Sequence, residues 1–443
     1  MGARRLRLLL GAFGDPGHAF PIIALGRALH ARGHEVTIQT WRRWAGDIEA
    51  LGIGFAPAPE YPVFPTEGRP LKPYAAVVRA AAEAGPLVAE LRPDAVVADI
   101  LTLAPALAGE RAGVPVATLI PHVHPAGAPG FPVYSVGARL PRTAGGRAMW
   151  EVLGRPVARG LELGRTELNE TRRRLGLGPL AHHHGGISRE LCLVATFPGL
   201  EYPRAWAPHE HVVGPLLWEP PTADVEPPAG EEPLVVVAPS TSQDPGQRLL
   251  RASLDGLAEL PVRVLATWNR RPPDRPLPTP GNARVVDWFS YARTMPAAAV
   301  VVCHGGHGTV VRALACGAAV VACPAAGDMN ENAARVDWAG VGVRVPRRLV
   351  SPTTVRLAVT RALVDRRLRA RAGSLAAWAT AHDLGPVAPH AEVDVEERRP
   401  RPRGHATPTS VGIPSPATPG AATITSPPKP RVVVPAKRLT QAQ

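Results

Sequence analysis

The sequence predicts an α/β protein with two domains, each built around a parallel β-sheet, and a disordered C-terminal tail. The chain of 443 residues is longer than one hydrophobic core usually organises. Hydrophobic residues make up 45% of it, which is enough for two sizeable cores. Strand-like and helix-like segments alternate in both halves, and such alternation is typical of parallel sheets covered by helices.

The N-terminal half opens with a strand, a glycine-rich turn and a helix. The helix pattern has its apolar residues on one face and stops before Gly33, as helices commonly do. The predicted elements are a strand at 5–10, a helix at 21–31, a strand at 35–40, a strand at 95–100, a helix at 102–111 and a strand at 114–120. The stretch 125–190 carries only two weak helix patterns, at 149–163 and 165–175.

The C-terminal half repeats this arrangement after a proline-rich, acidic segment at 219–233, whose composition is typical of a linker. Its predicted elements are strands at 234–238, 262–267, 283–286, 298–303 and 318–323, and helices at 247–260, 309–316, 330–339 and between 352 and 382. The predicted domains are therefore 1–218 and 234–385. From 386 to 443 the chain is rich in Pro, Ala, Thr and Arg and has too few apolar residues to offset the entropy of ordering, so we expect a disordered, basic tail.

The charge and the cysteines exclude several classes of function. The formal net charge is +13, but eight Arg and Lys residues follow Glu397 without any carboxylate, and removing them leaves a modest +5. No stripe of arginines interleaved with aromatics is present, which argues against a nucleic-acid partner. The four cysteines, at 192, 303, 316 and 323, lie in apolar patterns without metal-ligand spacing, so we expect buried thiols. No apolar run reaches the ~18 residues of a membrane span, and we expect a cytoplasmic protein.

The sharpest signal is the turn from His304 to Thr309, His-Gly-Gly-His-Gly-Thr, between a predicted strand and a predicted helix. Backbone N–H groups at such a helix start point towards an anion, and glycines permit close approach. A plain tight turn would also use glycines, so the turn alone leaves both interpretations open. The spacing of Gly11, Gly14 and Gly17 does not fit a dinucleotide-binding fingerprint, because GxGxxG is absent.

The residues around this turn resemble the donor-site signature of the family-1 nucleotide-sugar glycosyltransferases, which include macrolide and other natural-product enzymes of actinobacteria. The matching positions are Trp288, His304, Gly305, Gly306, Gly308, Thr309, Ala313, Leu314, Gly317, Pro324, Asp328, Asn332, Ala333 and Gly340. The resemblance implies the GT-B fold, in which two Rossmann-like domains face each other. It also implies a dTDP- or UDP-sugar donor, a hydrophobic small-molecule acceptor, and transfer without a metal ion or other cofactor.

The resemblance assigns the donor-binding roles. Trp288 would stack on the nucleobase, which a flat indole suits. The diphosphate would bind His304, Gly306, Gly308 and Thr309, and Ser242, with its neighbours Ser240 and Thr241, would supply a second phosphate contact. Asp328 would accept hydrogen bonds from the sugar hydroxyls. A core indole at 288 and a helix N-cap at 328 are the alternatives that need no ligand.

The N-terminal turn at 14–21 resembles the Gly-His-x-x-Pro motif of the same family, in which the histidine is the general base. His18 would take that role here. Its place at a helix start favours the neutral, proton-accepting imidazole. Asp99, which ends a predicted strand at the same edge of the sheet, is the expected partner, and Asp15 is the second choice.

Three departures from the family pattern fall in the donor site: Arg312 replaces a Glu, Met329 replaces a Gln, and Ser290-Tyr291 replaces Pro-Gln. Because that Glu binds ribose hydroxyls in the family, its replacement suggests a donor that carries deoxyribose, such as a dTDP-sugar, while the new cation could reach phosphate. Met329 removes polar contacts to the sugar, which fits a deoxygenated, less polar sugar. Ser290, Arg312 and Met329 are therefore included among the candidate donor-binding residues. The alternatives are a nucleotide-sugar 2-epimerase and a catalytically silent relative that supports a partner enzyme. The acceptor, the sugar and the oligomeric state stay open.

Overall fold

The computed structural model describes residues 4–58, 73–222, 224–240, 244 and 246–382. These residues form two parallel β-sheets, one in each half of the chain, which confirms the predicted fold class. The predicted tail at 386–443 and the predicted phosphate contact Ser242 lie outside the described residues. Among the described residues, no helix is long and apolar enough to cross a membrane.

The first sheet has seven strands in the order β3-β2-β1-β4-β5-β6-β7. The strands are β1 (Arg7–Gly11), β2 (Glu35–Thr40), β3 (Gly54–Pro57), β4 (Ala95–Asp99), β5 (Val116–Ile120), β6 (Leu191–Val194) and β7 (Glu210–Val212). The helices of this half are α1 (Pro16–Ala31), α2 (Ala45–Glu49), α3 (Pro73–Leu91), α4 (Leu103–Arg111), α5 (Ala144–Leu153) and α6 (Arg155–Arg174). The sequence did not predict α2, α3, β3, β6 or β7.

The first helix begins earlier than predicted. The prediction of a start at Pro21 was wrong, because Pro16 occupies the first turn and the Asp15 carboxylate caps the helix by accepting from the Gly17 N–H at 3.0 Å. Pro21 lies inside α1. The weak helix patterns at 149–163 and 165–175 are also two helices, but they divide at Gly154.

The second sheet has six strands in the order β10-β9-β8-β11-β12-β13. The strands are β8 (Leu234–Ala238), β9 (Arg263–Thr267), β10 (Ala283–Val286), β11 (Ala298–Cys303), β12 (Ala319–Ala322) and β13 (Gly342–Arg344). The helices are α7 (Arg248–Leu257), α8 (Tyr291–Thr294), α9 (His307–Ala315), α10 (Asp328–Ala339), α11 (Pro352–Val364) and α12 (Arg366–Ala381). The strand β8 is buried along its whole length, as expected of a parallel strand covered on both faces.

The two halves contact each other through apolar and ionic groups. Trp378 of α12 packs edge-on against Phe197, which follows β6, with ring centroids 5.6 Å apart. The guanidinium of Arg335, on α10, donates to Glu331 at 2.9 Å and to Glu201 of the first half at 3.3 Å. All three side chains are at most 4% exposed, so this ionic contact is almost fully removed from water.

Both sheets change winding direction at a corresponding place. The change lies between β1 and β4 in the first sheet and between β8 and β11 in the second. In open α/β sheets, ligands bind beyond the carboxyl ends of the strands at such a reversal. The segments that follow β1, β4, β8 and β11 are therefore where a ligand is expected, and they carry most of the residues singled out by the sequence.

Candidate active site

His18 and Asp99 meet at the reversal of the first sheet. β1 and β4 are parallel neighbours, so the turn after β1 and the end of β4 lie side by side. His18 lies in the first turn of α1, and its Nδ1 is 2.8 Å from Oδ1 of Asp99. The Asp99 side chain is fully buried, and its Oδ2 accepts from the Phe13 N–H at 3.3 Å and from the Thr102 hydroxyl at 3.4 Å.

This geometry determines the tautomer of His18. Because a carboxylate only accepts, Nδ1 carries the proton and Nε2 is left as a proton acceptor. Burial lowers the pKa of His18, but the charge and hydrogen bond of Asp99, with Asp15 and Asp328 adding to them, raise the pKa above its ordinary value. The expectation that the helix start favours the neutral form was wrong in direction, because the carboxylate outweighs it. Asp15 instead caps α1.

The glycine turn after β11 packs tightly against α10 and leaves a helix N-terminus open. Gly305 has φ +80°, and a Cβ there would lie 2.9 Å from the backbone oxygen of Met329. Gly306 caps α9, whose first amides have no acceptor within the helix. The predicted helix start at Thr309 was therefore late, and the N–H groups of Gly308 and Thr309 lie in the first turn.

His304 lies over this turn. Its Nδ1 is 3.2 Å from the carbonyl oxygen of Ala238, the last residue of β8, so Nδ1 donates and Nε2 is bare. Burial lowers the pKa of His304, and the imidazole is neutral in the free protein near pH 7. A Cβ at Gly306 would clash with Nε2, so a larger residue at 306 would displace this ring. Ser240 is buried just after β8, while Thr241 and Ser242 lie outside the described residues.

Trp288 is half-buried between two other side chains. Its ring stacks on Tyr291 with centroids 5.2 Å apart, and the Arg270 guanidinium lies 5.2 Å from the indole centroid. The indole N–H is buried and has no hydrogen-bond partner among the described residues. A nucleobase would therefore stack here by displacing or sharing one of these contacts. The sequence did not single out Arg270, because only the fold brings it over Trp288.

Ser290 and Arg312 form one cluster with Glu219, the first residue of the predicted linker. The Glu219 carboxylate accepts from the Ser290 hydroxyl and, at 3.2 Å, from the Ala292 N–H at the start of α8. Arg312 Nη2 donates to the Trp218 carbonyl at 3.0 Å, and its Nε lies 3.9 Å from Glu219. The guanidinium is engaged by these groups, and a contact of Arg312 with phosphate stays a prediction. Ser290 is buried as the cap of α8.

Asp328 is the first residue of α10, and Gly327, not Asp328, is the N-cap. Within the described residues its carboxylate has no hydrogen-bond partner. Its charge raises the pKa of both His18 and His304, so it lies within electrostatic reach of the candidate base and of the glycine turn. The Asp328 charge thus acts both on His18 of the first half and on His304 of the second. Met329, which follows Asp328, packs against Gly305.

The structure adds His122 and Tyr134 to the site. Both follow β5, and the His122 ring lies edge-on to His18 with centroids 6.2 Å apart. The Tyr134 hydroxyl is 3.4 Å from His122 Nδ1, and burial raises the pKa of Tyr134 well above its usual range. The sequence did not single out His122. The position of His122 after a predicted strand, at the same sheet edge as Asp99, was the signal that could have found it.

Cys192, Cys303 and Cys323 are buried thiols, as predicted, and Cys316 is half-buried. The described part of the chain contains no cluster of three or more His, Cys, Asp or Glu side chains that could hold a metal ion.

Known proteins resemble this chain in sequence and in fold. Residues 251–387 match the family model of the erythromycin biosynthesis protein CIII-like C-terminal domain. The chain is 29% identical over 411 residues to the 4'-demethylrebeccamycin synthase of Lentzea aerocolonigenes, covering 85% of this chain and 95% of that protein. It is 31% identical over 298 residues to a PGL/p-HBAD biosynthesis rhamnosyltransferase of Mycobacterium bovis (strain BCG / Pasteur 1173P2), covering 65% and 64% respectively.

The fold agrees with these matches. The crystal structure of the glycotransferase of kitacinnamycin superimposes with a TM-score of 0.67 at 22% identity, covering 86% of this chain and 96% of that one. The sequence matches extend through both sheets, and the donor-site motif lies within the matched C-terminal domain. Residues 251–387 therefore form an erythromycin biosynthesis protein CIII-like C-terminal domain, and the chain is a glycosyltransferase homologous to natural-product enzymes of antibiotic biosynthesis.

Proposed function

We propose that this glycosyltransferase inverts the anomeric centre as it moves a deoxysugar from a dTDP donor to a hydroxyl group of a hydrophobic small molecule. His18 acts as the general base, oriented by Asp99. The observation that carries the proposal is the 2.8 Å contact between His18 and Asp99, which leaves Nε2 as the proton acceptor. Direct displacement by a hydroxyl activated in this way inverts the sugar carbon.

The departing diphosphate would bind the first turn of α9. Its free amides at Gly308 and Thr309, and the positive end of the helix dipole, suit the charge that develops as the sugar bond breaks. His304 would add a hydrogen bond from Nε2 once that nitrogen is protonated. Asp328, which has no partner in the described residues, would accept hydrogen bonds from the sugar, and Trp288 would hold the base.

The cluster around Arg312 supports dTDP over UDP. Within the described residues, the carboxylate that pairs with Arg312 is that of Glu219, which already accepts from Ser290 and from the Ala292 N–H, so its capacity to accept from a ribose is reduced. A deoxyribose has one hydroxyl fewer to satisfy. Met329 offers only a weakly accepting thioether where a polar side chain would bind sugar hydroxyls, which favours a deoxygenated sugar. One relative is named a rhamnosyltransferase, and rhamnose is a deoxysugar.

A hydrophobic acceptor is supported by the exposed apolar side chains of α5. This helix has no buried residue, and Met149, Val152 and Leu153 are 50 to 55% exposed. Phe131, in the loop between β5 and α5, is instead buried against Tyr202. The side chains of Tyr61, Phe64 and Tyr74, which would also suit an apolar acceptor, lie outside the described residues.

Incubation with a dTDP-deoxysugar and a panel of aglycones tests the proposal. We expect a glycoside of inverted anomeric configuration whose formation depends on the aglycone. Nucleotide release that is independent of acceptor would favour the epimerase, and binding without turnover would favour the silent relative. Titrations with dTDP, dUDP and UDP test the nucleotide. dUDP and UDP differ only in the ribose hydroxyl, and UDP binding as tightly as dUDP would contradict the deoxyribose preference.

A further inference from the structure

A second imidazole lies beside the proposed base, and nothing described above uses it. His122 follows β5 at the same carboxyl edge as Asp99, and its ring centroid is 6.2 Å from that of His18. The two rings are almost perpendicular, at 84°. The bare Nε2 of His18 can accept only one proton from the reacting hydroxyl. A neighbouring imidazole is then available to a different hydroxyl.

The hydrogen bonds of His122 determine its tautomer. Its Nδ1 lies 2.8 Å from the backbone oxygen of Val123, and a carbonyl can only accept, so Nδ1 carries the proton. The Tyr134 hydroxyl, at 3.4 Å from the same nitrogen, is too distant to compete. The proton on Nδ1 leaves Nε2 as an acceptor. Within the described residues no group forms a hydrogen bond with this Nε2. The atom is not fully buried, so a ligand can reach it.

The surroundings of His122 favour the donor sugar over the acceptor as its ligand. The side chains that interact with it electrostatically are Asp328, His18, Asp99 and His307. The largest of these charge effects on the pKa of His122 is that of Asp328, the proposed sugar-binding carboxylate, although burial still lowers this pKa overall. His122 thus lies beside the proposed base and within electrostatic reach of the proposed sugar-binding carboxylate, and its neutral form is the one that accepts a hydrogen bond.

We propose that His122 is a specificity-determining residue whose Nε2 accepts a hydrogen bond from a hydroxyl of the donor sugar. This proposal rests on the function proposed above, since it assumes that the sugar binds at Asp328. With two acceptors facing it, the sugar would be recognised by the hydroxyls that it retains. A deoxygenated sugar would then be selected by which of its ring carbons keep a hydroxyl, and not by its overall polarity.

Three substitutions distinguish the hydrogen bond of Nε2 from the packing of the imidazole ring. His122→Gln places an oxygen near the position of Nε2, His122→Asn places one near Nδ1 only, and His122→Phe keeps a flat ring without nitrogen. His211→Asn, at the exposed middle residue of β7, is the matched control. The dissociation constants of dTDP and of dTDP-glucose are measured for each variant. The dTDP value also shows whether the variant is folded.

We expect His122→Asn and His122→Phe to weaken dTDP-glucose about five- to tenfold, the size of one lost hydrogen bond, and to leave dTDP unchanged. His122→Gln should retain most of the affinity for dTDP-glucose. Equal weakening of both ligands, unchanged dTDP-glucose binding, or equal losses in the Gln and Asn variants would each overturn the proposal. These titrations contain no acceptor, so a protein that fails to transfer sugar contradicts the proposed function and not this inference.

Discussion

Replacing Asp99 by Asn tests whether this carboxylate sets the tautomer and the pKa of His18, the proposed base. The Oδ2 of Asp99 accepts from the backbone N–H of Phe13, and a backbone N–H cannot turn into an acceptor. The Asn oxygen is therefore held on that side, and its amide nitrogen faces His18. The Asn amide N–H would donate to Nδ1 of His18, so the imidazole proton would move to Nε2. Nε2 is the atom that must accept the proton of the acceptor hydroxyl, and it could then no longer do so. The substitution also removes the charge that raises the pKa of His18, while the burial that lowers it stays.

The expected loss is large because the wrong tautomer cannot act as a base. In a histidine–carboxylate pair of this kind, the same substitution costs about 10⁴ in kcat, and we expect about 10³ to 10⁴ in kcat/KM here. The assay is glycoside formation at saturating donor. In the unchanged protein the base form of His18 is lost as the pH falls through its raised pKa, so kcat/KM should rise with pH and level off above that value.

Asp15→Asn is the matched control for this experiment. Asn caps helices about as well as Asp, so α1 should be preserved and activity should change little. Activity of Asp99→Asn within about tenfold of the unchanged protein would refute the tautomer argument, because the expected loss is far larger. An equal loss in Asp15→Asn would show instead that any change of charge at this helix start is sufficient.

Three further outcomes are expected. His304 is neutral in the free protein and must gain a proton at Nε2 to donate to a diphosphate. Binding of dTDP should therefore take up a proton and weaken as the pH rises. Calorimetry in buffers of different ionisation enthalpy measures this uptake, and its absence at pH 7 would rule the role of His304 out. Arg335→Met strands the carboxylates of Glu201 and Glu331 in a buried place and should cost about 3 to 5 kcal/mol in denaturant unfolding; a cost below about 1 kcal/mol would mean that the ionic contact contributes little. Burial lowers the pKa of His307 to about 3, below its value in the unfolded chain, so the unfolded state binds an extra proton in acid. The free energy of unfolding should therefore fall as the pH drops below about 6.5. The His307→Gln variant should lose less stability between pH 7 and 5, and the same pH dependence in both proteins would contradict this role of His307.

The parts of the site that sequence could predict depend on local rules. Strand periodicity located the ends of β1 and β4, and the geometry of parallel sheets then brought His18 and Asp99 to one edge. The glycines at 305 and 306 marked the turn after β11, because a Cβ at either position would meet the Met329 backbone oxygen or the His304 ring, whereas Gly308 has open space around it. Helix starts were less accurate. The start of α1 depends on the Asp15 cap, which the sequence alone did not separate from the proline at 21.

The parts that sequence could not predict depend on contacts between distant segments. Glu219 looked like linker, and only the packed structure shows it accepting from Ser290 and lying beside Arg312. The sign of the His18 pKa shift depends on the distance to Asp99, which no spacing along the chain gives. His122 lacked a recognised motif, although its place after β5 was visible.

The central claim is that His18 removes the proton from the acceptor while α9 holds the donor. Its most direct test compares the unchanged protein with His18→Gln in two measurements, the rate of glycoside formation from a dTDP-deoxysugar and the affinity for dTDP. We predict that the substitution reduces the rate by at least about 10², the usual contribution of a positioned base, and leaves dTDP affinity unchanged. Glycoside formation at an undiminished rate in His18→Gln would contradict the account.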